Sequence, residues 1–254
     1  MMSLTILITG STDGIGLLTA QMLSSKGHAV LLHGRSAAKL EAAAAQIDGE
    51  VLTFKADLSS LAETRAMAAE VREKVDSIDV LINNAGIYKT SDPVLPDGQD
   101  VRFVVNAIAP YALTKAVLPI MSKEARILNL SSAAQAPVNF DALVGQARVG
   151  DMDAYAQSKR AITLWTAALA KEYPEGPTFI SVNPGSLLAS KMVKEGFGVA
   201  GNDLRIGADI LCRLTLEAEF ADASGKYWDN DSGRFGSVDM AQTDALMKHL
   251  NSMI

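Results

Sequence analysis

The chain has 254 residues, of which 48% are hydrophobic and 20% charged, and its formal net charge is -6 at pH 7. This composition is typical of globular proteins, and the length is near the upper limit of what one hydrophobic core organises. Acidic charge with scattered Lys and Arg argues against the clustered basic surface that nucleic-acid binding requires. We therefore expect a single domain over residues 1–254 and a small-molecule partner, not a nucleic acid.

Targeting, redox and metal signals are weak in this sequence. We find no apolar run close to the roughly 20 residues that span a bilayer, and no basic leader precedes the first strand. These features predict no membrane segment and a cytoplasmic location. Cys212 is the one cysteine and lies in an apolar segment, which favours a packed core thiol. Because His28, His33 and His249 lack ligand spacing, we expect no metal site.

A glycine-rich junction opens the chain. The apolar run at residues 4–8 meets glycines at Gly10, Gly14 and Gly16, and helical spacing of apolar residues follows from Leu17. Such a strand, loop and helix start lets backbone N–H groups approach a phosphate, so a dinucleotide pyrophosphate is the expected occupant. A ligand-free turn, a flavin site and an S-adenosylmethionine site are alternatives. The predicted cofactor loop contains Gly10, Ser11, Thr12, Asp13, Gly14, Ile15 and Gly16.

The ends of the next two strands bear on the choice of cofactor. Arg35 follows a predicted strand at residues 29–32, where a basic side chain would pair with a 2′-phosphate and so indicates NADP(H). Asp13 opposes extra negative charge, which keeps NAD(H) as the alternative. After a third strand at residues 51–54, Asp57 and Leu58 could contact the adenine, or Asp57 could cap the next helix.

Strands and helices alternate along the first half of the chain. A fourth strand at residues 78–82 runs into Asn83, Asn84, Ala85 and Gly86, which predicts a polar wall beside the cofactor. Repeated strand–helix units imply right-handed crossovers between parallel strands. We therefore predict an α/β fold: a single-domain, doubly wound parallel sheet with helices on both faces.

Side chains that could take part in catalysis occur from the middle of the chain onward. A long helix over residues 97–121, interrupted or bent at Pro110, holds Asn106 among apolar residues, either as a hydrogen-bond anchor or as a site residue. A fifth strand at residues 126–130 delivers Ser132, and residues 133–150 are expected to form an extended loop.

Tyr155 and Lys159 are four residues apart on a predicted helix at residues 152–173, so their side chains share one face. An ammonium group beside a phenol lowers the phenol's pKa, which suits proton exchange with an alcohol or carbonyl, and Ser132 could hold the same oxygen. An exposed helix pair without function is the alternative.

Five motifs in this order resemble the short-chain dehydrogenase/reductase family: Thr9-Gly10-x3-Gly14-x-Gly16, Asn83-Asn84-Ala85-Gly86, Ser132, Tyr155-x3-Lys159 and Asn183-Pro184-Gly185. The resemblance implies a Rossmann fold and hydride transfer between NADP(H) and an alcohol or carbonyl. It implies that Tyr155 is the general acid/base, that Ser132 orients the substrate oxygen, and that Lys159 binds the nicotinamide ribose and lowers the tyrosine pKa. Asn106 would hold a water in a proton relay.

The same resemblance implies further cofactor contacts. Asn83 and Ala85 would line the cofactor, Asp57 would meet the adenine, and Pro184 with Gly185 would lie near the nicotinamide. Leu188 stands where the family often has a threonine, and Ser190 is the nearest hydroxyl. The 23 positions from Ser132 to Tyr155 exceed the family's usual spacing and resemble its retinol-dehydrogenase-like branch.

The C-terminal third predicts a substrate lid and an interface. Residues 186–201 contain several glycines and no regular period, which favours a mobile lid over a partly apolar substrate. A last helix at residues 204–220 would bury Ile206, and the tail from Gly225 would add an edge strand.

Because the helix around Tyr155 is apolar over most of its circumference, we expect a homodimer or homotetramer.

Two other functions are compatible with the pattern. An isomerase, epimerase or dehydratase could reuse the fold and its cofactor without net change in cofactor oxidation state. A catalytically silent NADP(H)-binding sensor or scaffold is the non-enzymatic alternative, for which Tyr155 or Lys159 would be expected to be missing. Both residues are present.

Overall fold

Eight strands form one sheet at the centre of the protein in a computed structural model that describes residues 3–254. Their order in the sheet is β3-β2-β1-β4-β5-β6-β7-β8. All neighbouring pairs are parallel except β7 and β8, which are antiparallel. The strands are β1 (Thr5–Ile8), β2 (Ala29–Gly34), β3 (Val51–Lys55), β4 (Val80–Asn83), β5 (Arg126–Leu130), β6 (Thr178–Asn183), β7 (Tyr227–Asp229) and β8 (Arg234–Gly236).

Helices cover both faces of this sheet. They are α1 (Gly14–Ser24), α2 (Ala37–Ala44), α3 (Leu61–Lys74), α4 (Val101–Phe103), α5 (Ala109–Val117), α6 (Phe140–Leu143), α7 (Asp151–Glu172), α8 (Lys191–Phe197), α9 (Leu204–Leu216) and α10 (Thr243–Met253). Short 3-10 turns occur at Leu118–Ile120 and Ala218–Phe220.

The two core layers follow from the alternation of side chains along the central strands. On β1, Leu7 packs into the layer that holds α3, α5, α7 and α10, whereas Ile6 and Ile8 pack into the layer that holds α1, α2 and α9. Strands buried on both faces are typical of parallel sheets covered by crossover helices. The predicted doubly wound α/β fold is therefore confirmed.

A serine, not Asp57, caps α3. The Ser60 side chain accepts a hydrogen bond from the N–H of Glu63 at 3.2 Å, which satisfies one of the open donors of the first turn. Asp57 instead accepts from the N–H and the hydroxyl of Ser59, at 2.9 and 2.8 Å, and so shapes the turn before the helix. The alternative in which Asp57 caps the helix is wrong.

The predicted bend at Pro110 is replaced by a wide turn just before it. The chain is helical from Val101 to Ile120, and residues Val104–Ile108 form a π-helical turn centred on Asn106. Proline has no N–H to donate to the carbonyl of residue 106, four positions earlier, so the helix widens where that bond is missing. The helix thus accommodates Pro110 in the first turn of α5 without a break.

The same helical run corrects the expectation about apolar segments. Residues Val101–Ile120 are long and apolar enough to cross a membrane by length and composition, and 72% of the most apolar window is buried inside the fold. The sequence argument that no run approaches this length is wrong. The surrounding layers of this chain cover the helix, as is typical of a core helix.

Two helices and the exposure of one residue differ from what the sequence predicted for the loop and C-terminal regions. The predicted extended loop at 133–150 contains α6, and α10 follows the edge strands although no further helix was expected there. The spacing of Leu246, Met247, Leu250 and Met253 is helical and could have revealed α10. Ile206, expected to be buried, is 47% exposed because it lies in the first turn of α9, beyond the packed face.

Helix α10 packs on α7 and changes the basis for the predicted interface. Leu246 and Leu250 are buried in the same layer as Trp165 of α7, and the Tyr111 hydroxyl donates to the side-chain oxygen of Asn251 at 2.6 Å. The apolar circumference that was expected to need a partner chain is therefore covered by this chain itself. Homo-oligomerisation stays a prediction, without that support.

A buried arginine joins the start of the Asn106 helix to the start of α7. Arg102 is 1% exposed, and its guanidinium donates to both carboxylate oxygens of Asp100, at 2.8 and 2.6 Å. Its third contact is with the carboxylate of Asp151, in the first turn of α7. These bonds, chiefly those from Asp100, raise the pKa of Arg102 and fix the two helices against each other.

Arg102→Ala is expected to lower the free energy of unfolding by about 3–5 kcal/mol, because it leaves the Asp100 carboxylate buried without its partner. Urea unfolding of the purified protein measures the change. In the control Arg205→Ala, which removes an exposed guanidinium 3.8 Å from Asp209, the expected loss is under about 1 kcal/mol. Equal losses in the two variants would contradict the proposed burial effect.

Candidate active site

The glycine loop between β1 and α1 has the shape that a pyrophosphate requires. Gly10 and Gly14 adopt positive φ angles of 64° and 55°, which disfavour other residues. A Cβ on Gly16 would lie 2.5 Å from the Gly10 carbonyl oxygen, so this position also requires glycine. A Cβ on Gly14 would meet no atom within 4 Å, which leaves open space at the N-terminus of α1 for a phosphate. Asp13 is exposed beside that space.

Asn84 fastens the loop to the end of β4. Its Nδ2 donates to the carbonyl oxygens of Thr9 and Gly10, at 2.8 and 3.0 Å. The Thr9 hydroxyl oxygen in turn accepts from the N–H groups of Asn84 and Ala85, both at 3.0 Å. The glycine loop and the Asn83–Gly86 turn therefore form one unit.

Asn83 has a different place from the one predicted. Its side chain is buried in the interior and its Nδ2 donates to Asn129 Oδ1 at 2.8 Å and to Thr114 Oγ1 at 3.1 Å. It thus links β4 to β5 and α5 instead of lining a cofactor wall with its side chain. The side-chain role expected for Asn83 is wrong, because the alternation along β4 turns it into the helix layer.

His33 supports the glycine loop from β2. Its Nδ1 accepts the N–H of Gly10 at 3.1 Å, and its Nε2 lies 3.1 Å from the carbonyl oxygen of Ala56. A donor on one side and an acceptor on the other fix the neutral tautomer with the proton on Nε2. Burial, the largest cause, lowers the pKa of His33 to about 4. Sequence spacing gave no signal for this role, because the contacts come from three separate segments.

Arg35 and Asp57 meet at the ends of β2 and β3. Arg35 Nη1 lies 3.9 Å from Asp57 Oδ2, and the Arg35 side chain is 72% exposed. The two residues predicted to contact the adenosine part of a cofactor are therefore adjacent. An exposed guanidinium at this strand end is able to reach a phosphate group.

Ser132 stands at the end of β5 with its hydroxyl oriented. Its Oγ accepts the N–H of Ala134 at 3.1 Å, which leaves the hydroxyl proton to donate. The neighbouring Ser131 hydroxyl donates to the carbonyl oxygen of Lys159 at 2.9 Å. This bond ties residues 131–136, called the serine turn below, to α7. The Ser132 hydroxyl lies near the Tyr155 phenol, whose pKa is raised by burial, and offsets part of that rise.

Lys159 does not act on the phenol as predicted. Its Nζ donates to the carbonyl oxygen of Leu130 at 2.8 Å and lies 5.7 Å from the Tyr155 ring centroid. Burial raises the pKa of Tyr155, and this effect outweighs the hydrogen bond from Ser132. Burial also lowers the pKa of Lys159 to about 8. The expected lowering of the phenol's pKa by the ammonium is therefore wrong for this arrangement.

Asn106 proves to be an anchor beside the site. Its Oδ1 accepts the N–H of Ile87 at 2.8 Å, and its Nδ2 donates to the Ile87 carbonyl at 2.9 Å and the Ser158 hydroxyl at 3.0 Å. A Cβ on Gly86 would lie 3.4 Å from both Asn106 Oδ1 and Lys159 Nζ, so these two groups border the same space. The side-chain amide of Asn106 thus makes three hydrogen bonds that tie Ile87 to Ser158.

The predicted lid contains a helix and has a fixed base. Helix α8 begins after Ser190, whose hydroxyl oxygen accepts the N–H of Val193 at 3.3 Å. The N–H of Asn202 donates to the Leu187 carbonyl at 2.7 Å, which closes the segment at its ends. The expectation of no regular period is wrong here, because a seven-residue helix is too short for periodicity to reveal.

Two tyrosines connect the lid helix α8 to α7. A Cβ on Gly196 of α8 would lie 2.5 Å from Cδ1 of Tyr88, so the helix rests directly on that ring. The Tyr88 ring packs edge-on against Tyr155, with centroids 5.4 Å apart and planes at 64°. Tyr88 was not singled out in the sequence, and its place over Tyr155 depends on the loop after β4.

The turn between β7 and β8 supports the Pro184–Gly185 segment. Asn230 Nδ2 donates to the Pro184 carbonyl at 3.0 Å, and the N–H of Ser186 donates to Asp231 Oδ1 at 2.8 Å. Gly185 has a φ of 128°, which only glycine adopts readily. Asn230 and Asp231 lie in the tail after Gly225, for which the sequence predicted only an edge strand.

Cys212 is the cysteine of this chain, and its surroundings are apolar. Cys212 is buried in the α9 layer, and burial is the main cause that raises its pKa to about 12, in agreement with a packed core thiol. Within residues 3–254, no group of three or more His, Cys, Asp or Glu side chains is arranged to hold a metal ion.

Comparison with known proteins identifies the class. The family model for short chain dehydrogenases matches residues 4–197. The chain belongs to the short-chain dehydrogenase/reductase family, and it is an NAD(P)-dependent enzyme of that family. The fold supports the assignment: an uncharacterized protein from Mycobacterium paratuberculosis superimposes with a TM-score of 0.79 at 27% identity, over 98% of this chain and 93% of that one.

Within the family, the chain falls in the retinol-dehydrogenase-like branch. It is 34% identical to human retinol dehydrogenase 13 over 250 residues, which cover 89% of this chain and 76% of the relative. It is 36% identical to mouse retinol dehydrogenase 12 over 194 residues, or 72% of this chain and 61% of the relative. A metagenomic short-chain oxidoreductase solved in complex with NADP aligns with a TM-score of 0.67 at 30% identity, over 85% of this chain and 92% of that one.

His33→Asn is expected to remove part of the protein's acid sensitivity. The pKa is 6.5 in the unfolded chain and about 4 in the fold, so stability from the neutral imidazole is complete above pH 6.5 and falls as the pH drops to about 4. The loss is about 3 kcal/mol and is absent in the variant, whose side-chain oxygen still accepts the Gly10 N–H. Urea unfolding between pH 7 and pH 4 measures it. A stability difference between the two proteins that is constant over this range would contradict the assignment.

Proposed function

We propose that this enzyme transfers a hydride between NADP(H) and an alcohol or carbonyl substrate, with Tyr155 as the general acid/base. The observation that carries the proposal is the convergence of Ser132, Tyr155 and Lys159 beside the glycine loop. Ser132 ends β5, Tyr155 and Lys159 share one face of α7, and Lys159 Nζ lies against the end of β5. Together these groups surround the space above the carboxyl ends of the central strands.

The residues around that space fit a nicotinamide dinucleotide. The open side of Gly14 at the start of α1 would receive the pyrophosphate, and Ala85, Gly86, Pro184 and Gly185 would border the nicotinamide end. When bound, the cofactor supplies or accepts the hydride, while the protein provides orientation and electrostatics. Asp57 and Leu58, at the end of β3, would border the adenine.

Proton transfer falls to Ser132 and Tyr155. The Ser132 hydroxyl, with its oxygen already bonded to the Ala134 N–H, would donate to the substrate oxygen. The Tyr155 hydroxyl would give a proton to that oxygen during reduction and take it during oxidation. Burial favours the neutral phenol in the site without cofactor.

Lys159 would serve this chemistry from a buried position. Its pKa of about 8 keeps most of the amine protonated near pH 7. Its bond to the Leu130 carbonyl holds the ammonium near Asn106 and Gly86, where it would meet the nicotinamide ribose. Asn106, whose Oδ1 borders the same space as the Lys159 ammonium, would hold the water of a proton relay.

The preference for NADP(H) rests on Arg35. Its exposed guanidinium stands at the end of β2, where it would pair with a 2′-phosphate, whereas the exposed carboxylate of Asp13 opposes a second negative charge. Binding of NADP by the metagenomic relative, which is 30% identical, supports this choice. NAD(H) is the alternative.

The substrate proposed is partly apolar. Val193 and Met192 of the lid helix are buried or half-buried, and a Cβ on Gly86 would lie 3.8 Å from Met192 Cε, so the lid presents apolar atoms to the site. The relatives are named for retinol, which makes retinoids reasonable members of a test panel. A cytoplasmic location and a homodimer or homotetramer remain parts of this proposal.

Tyr155→Phe is expected to abolish turnover, because the ring is kept and the transferable proton is lost. The assay follows cofactor absorbance with ketones, aldehydes and alcohols, all-trans-retinal and all-trans-retinol included, with NADPH, NADH and their oxidised forms. Titration of NADP⁺ onto the variant should give an unchanged dissociation constant. Undiminished rates would overturn the role of Tyr155. Substrate conversion without a net change in cofactor absorbance would indicate an isomerase, epimerase or dehydratase. Cofactor binding without turnover of any panel member would indicate a sensor.

Arg35→Ala is expected to raise the dissociation constant of NADP⁺ at least about tenfold, because a charge-assisted bond to the 2′-phosphate is lost. The dissociation constant of NAD⁺ should change little, since its ribose has no phosphate for the arginine to bind. Isothermal titration of both cofactors onto both proteins measures the four constants. Tighter binding of NAD⁺ than NADP⁺ by the unaltered protein would reverse the proposed preference.

A further inference from the structure

A tyrosine from the edge of the sheet reaches the serine turn. The hydroxyl of Tyr227, on β7, donates to the carbonyl oxygen of Ser132 at 3.0 Å. The side-chain amide of Gln135 donates to the same oxygen at 3.0 Å. Ser132 and Tyr227 are 95 residues apart in the sequence, and β6 separates their strands in the sheet. The contact therefore exists only in the folded chain.

The surroundings of Tyr227 favour a fixed neutral donor. The residue is buried, and a Cβ on Gly236 of β8 would lie 2.9 Å from its Cδ1, so the hairpin packs closely on the ring. Burial, with the nearby Asp229 carboxylate, raises the pKa of Tyr227. The hydroxyl thus keeps its proton over the ordinary pH range and continues to donate it.

Hydrogen bonds hold both the carbonyl oxygen and the side-chain oxygen of Ser132. Two donors fix the carbonyl oxygen of Ser132, and the Ala134 N–H fixes its Oγ. Because the carbonyl and Oγ belong to one residue, holding the carbonyl restricts the rotation of the peptide and with it the direction of the hydroxyl. A site that must hold a reacting oxygen to within a fraction of an ångström depends on such support.

We propose that Tyr227 is a positioning residue for Ser132, acting from β7 through the Ser132 carbonyl. This inference rests on the proposed function for its catalytic consequence. Tyr227 lies beyond residues 4–197, the part that matches the family model. The C-terminal hairpin, which also contacts Pro184 and Ser186 through Asn230 and Asp231, would then support both the proton-transfer side and the cofactor side of the site.

The first test needs neither cofactor nor substrate. In Tyr227→Phe, hydrogen–deuterium exchange measured by mass spectrometry should be faster in the peptide covering residues 131–136, since one of the two bonds to the Ser132 carbonyl is gone. The matched control is Tyr111→Phe, which removes another tyrosine hydroxyl bond, to Asn251, away from the site. Exchange in residues 131–136 should be unchanged in the control. Unchanged exchange in both variants would overturn the proposal.

The second test measures catalysis with the panel aldehyde that the unaltered protein reduces fastest. In Tyr227→Phe, kcat should fall about three- to tenfold, the size expected for one neutral hydrogen bond, with the dissociation constant of NADP⁺ unchanged. The apparent pKa in the rate profile that reports Tyr155 should rise, because a less constrained Ser132 bonds the phenol more weakly. Tyr111→Phe should leave kcat and the profile as they are.

The outcomes separate this inference from the proposed function. If no panel member is turned over, the proposed function fails, and the exchange of residues 131–136 still decides whether Tyr227 holds the serine turn. If turnover is normal in Tyr227→Phe while exchange is faster, Tyr227 holds the turn without positioning Ser132 for catalysis, and the proposal is overturned. A weaker affinity for NADP⁺ with unchanged kcat would also overturn it.

Discussion

The site depends on the clasp between the glycine loop and the end of β4. The side chain of Asn84 bonds the carbonyls of Thr9 and Gly10, while the Thr9 hydroxyl receives two N–H groups from the opposite turn. These bonds join β1 and β4 at their carboxyl ends. They also hold the backbone so that the start of α1 faces the space beside Gly14, which is proposed to receive the pyrophosphate. Parallel pairing of β1 with β4, and of β4 with β5, then brings the serine turn to the same edge.

A second set of contacts places α7 against that edge. Ser131 bonds the Lys159 carbonyl, Lys159 bonds the Leu130 carbonyl, and Arg102 joins the first turn of α7 to the start of the preceding helical run. Asn106 uses its whole amide to hold the loop after β4 to the same helix layer. Each of these polar groups is buried and has at least one hydrogen-bond partner, so the geometry of the site is coupled to the stability of the fold.

Burial also sets the protonation states, and it does so against the simplest electrostatic expectation. A lysine four residues after a tyrosine was expected to make the phenol acidic, yet the ammonium is held at the Leu130 carbonyl and both groups shift toward their neutral forms. Desolvation dominates because the lid helix rests on Tyr88, whose ring packs edge-on against the half-buried Tyr155. His33 shows the same effect at the other end of the site, where a neutral imidazole is needed to accept the Gly10 N–H.

The sequence by itself determined that parallel strands form the sheet and that the glycine loop, the asparagine turn and the serine follow its strands in that order. Glycine spacing, apolar strands and helical periodicity are local signals, so they can be recognised before the chain folds. Tertiary structure alone decided the rest. The cover of α7 by α10 and the supports from His33, Arg102 and Tyr227 all arise between distant segments. No local pattern encodes such contacts, since hydrogen-bond partners and desolvation are set only when the layers pack.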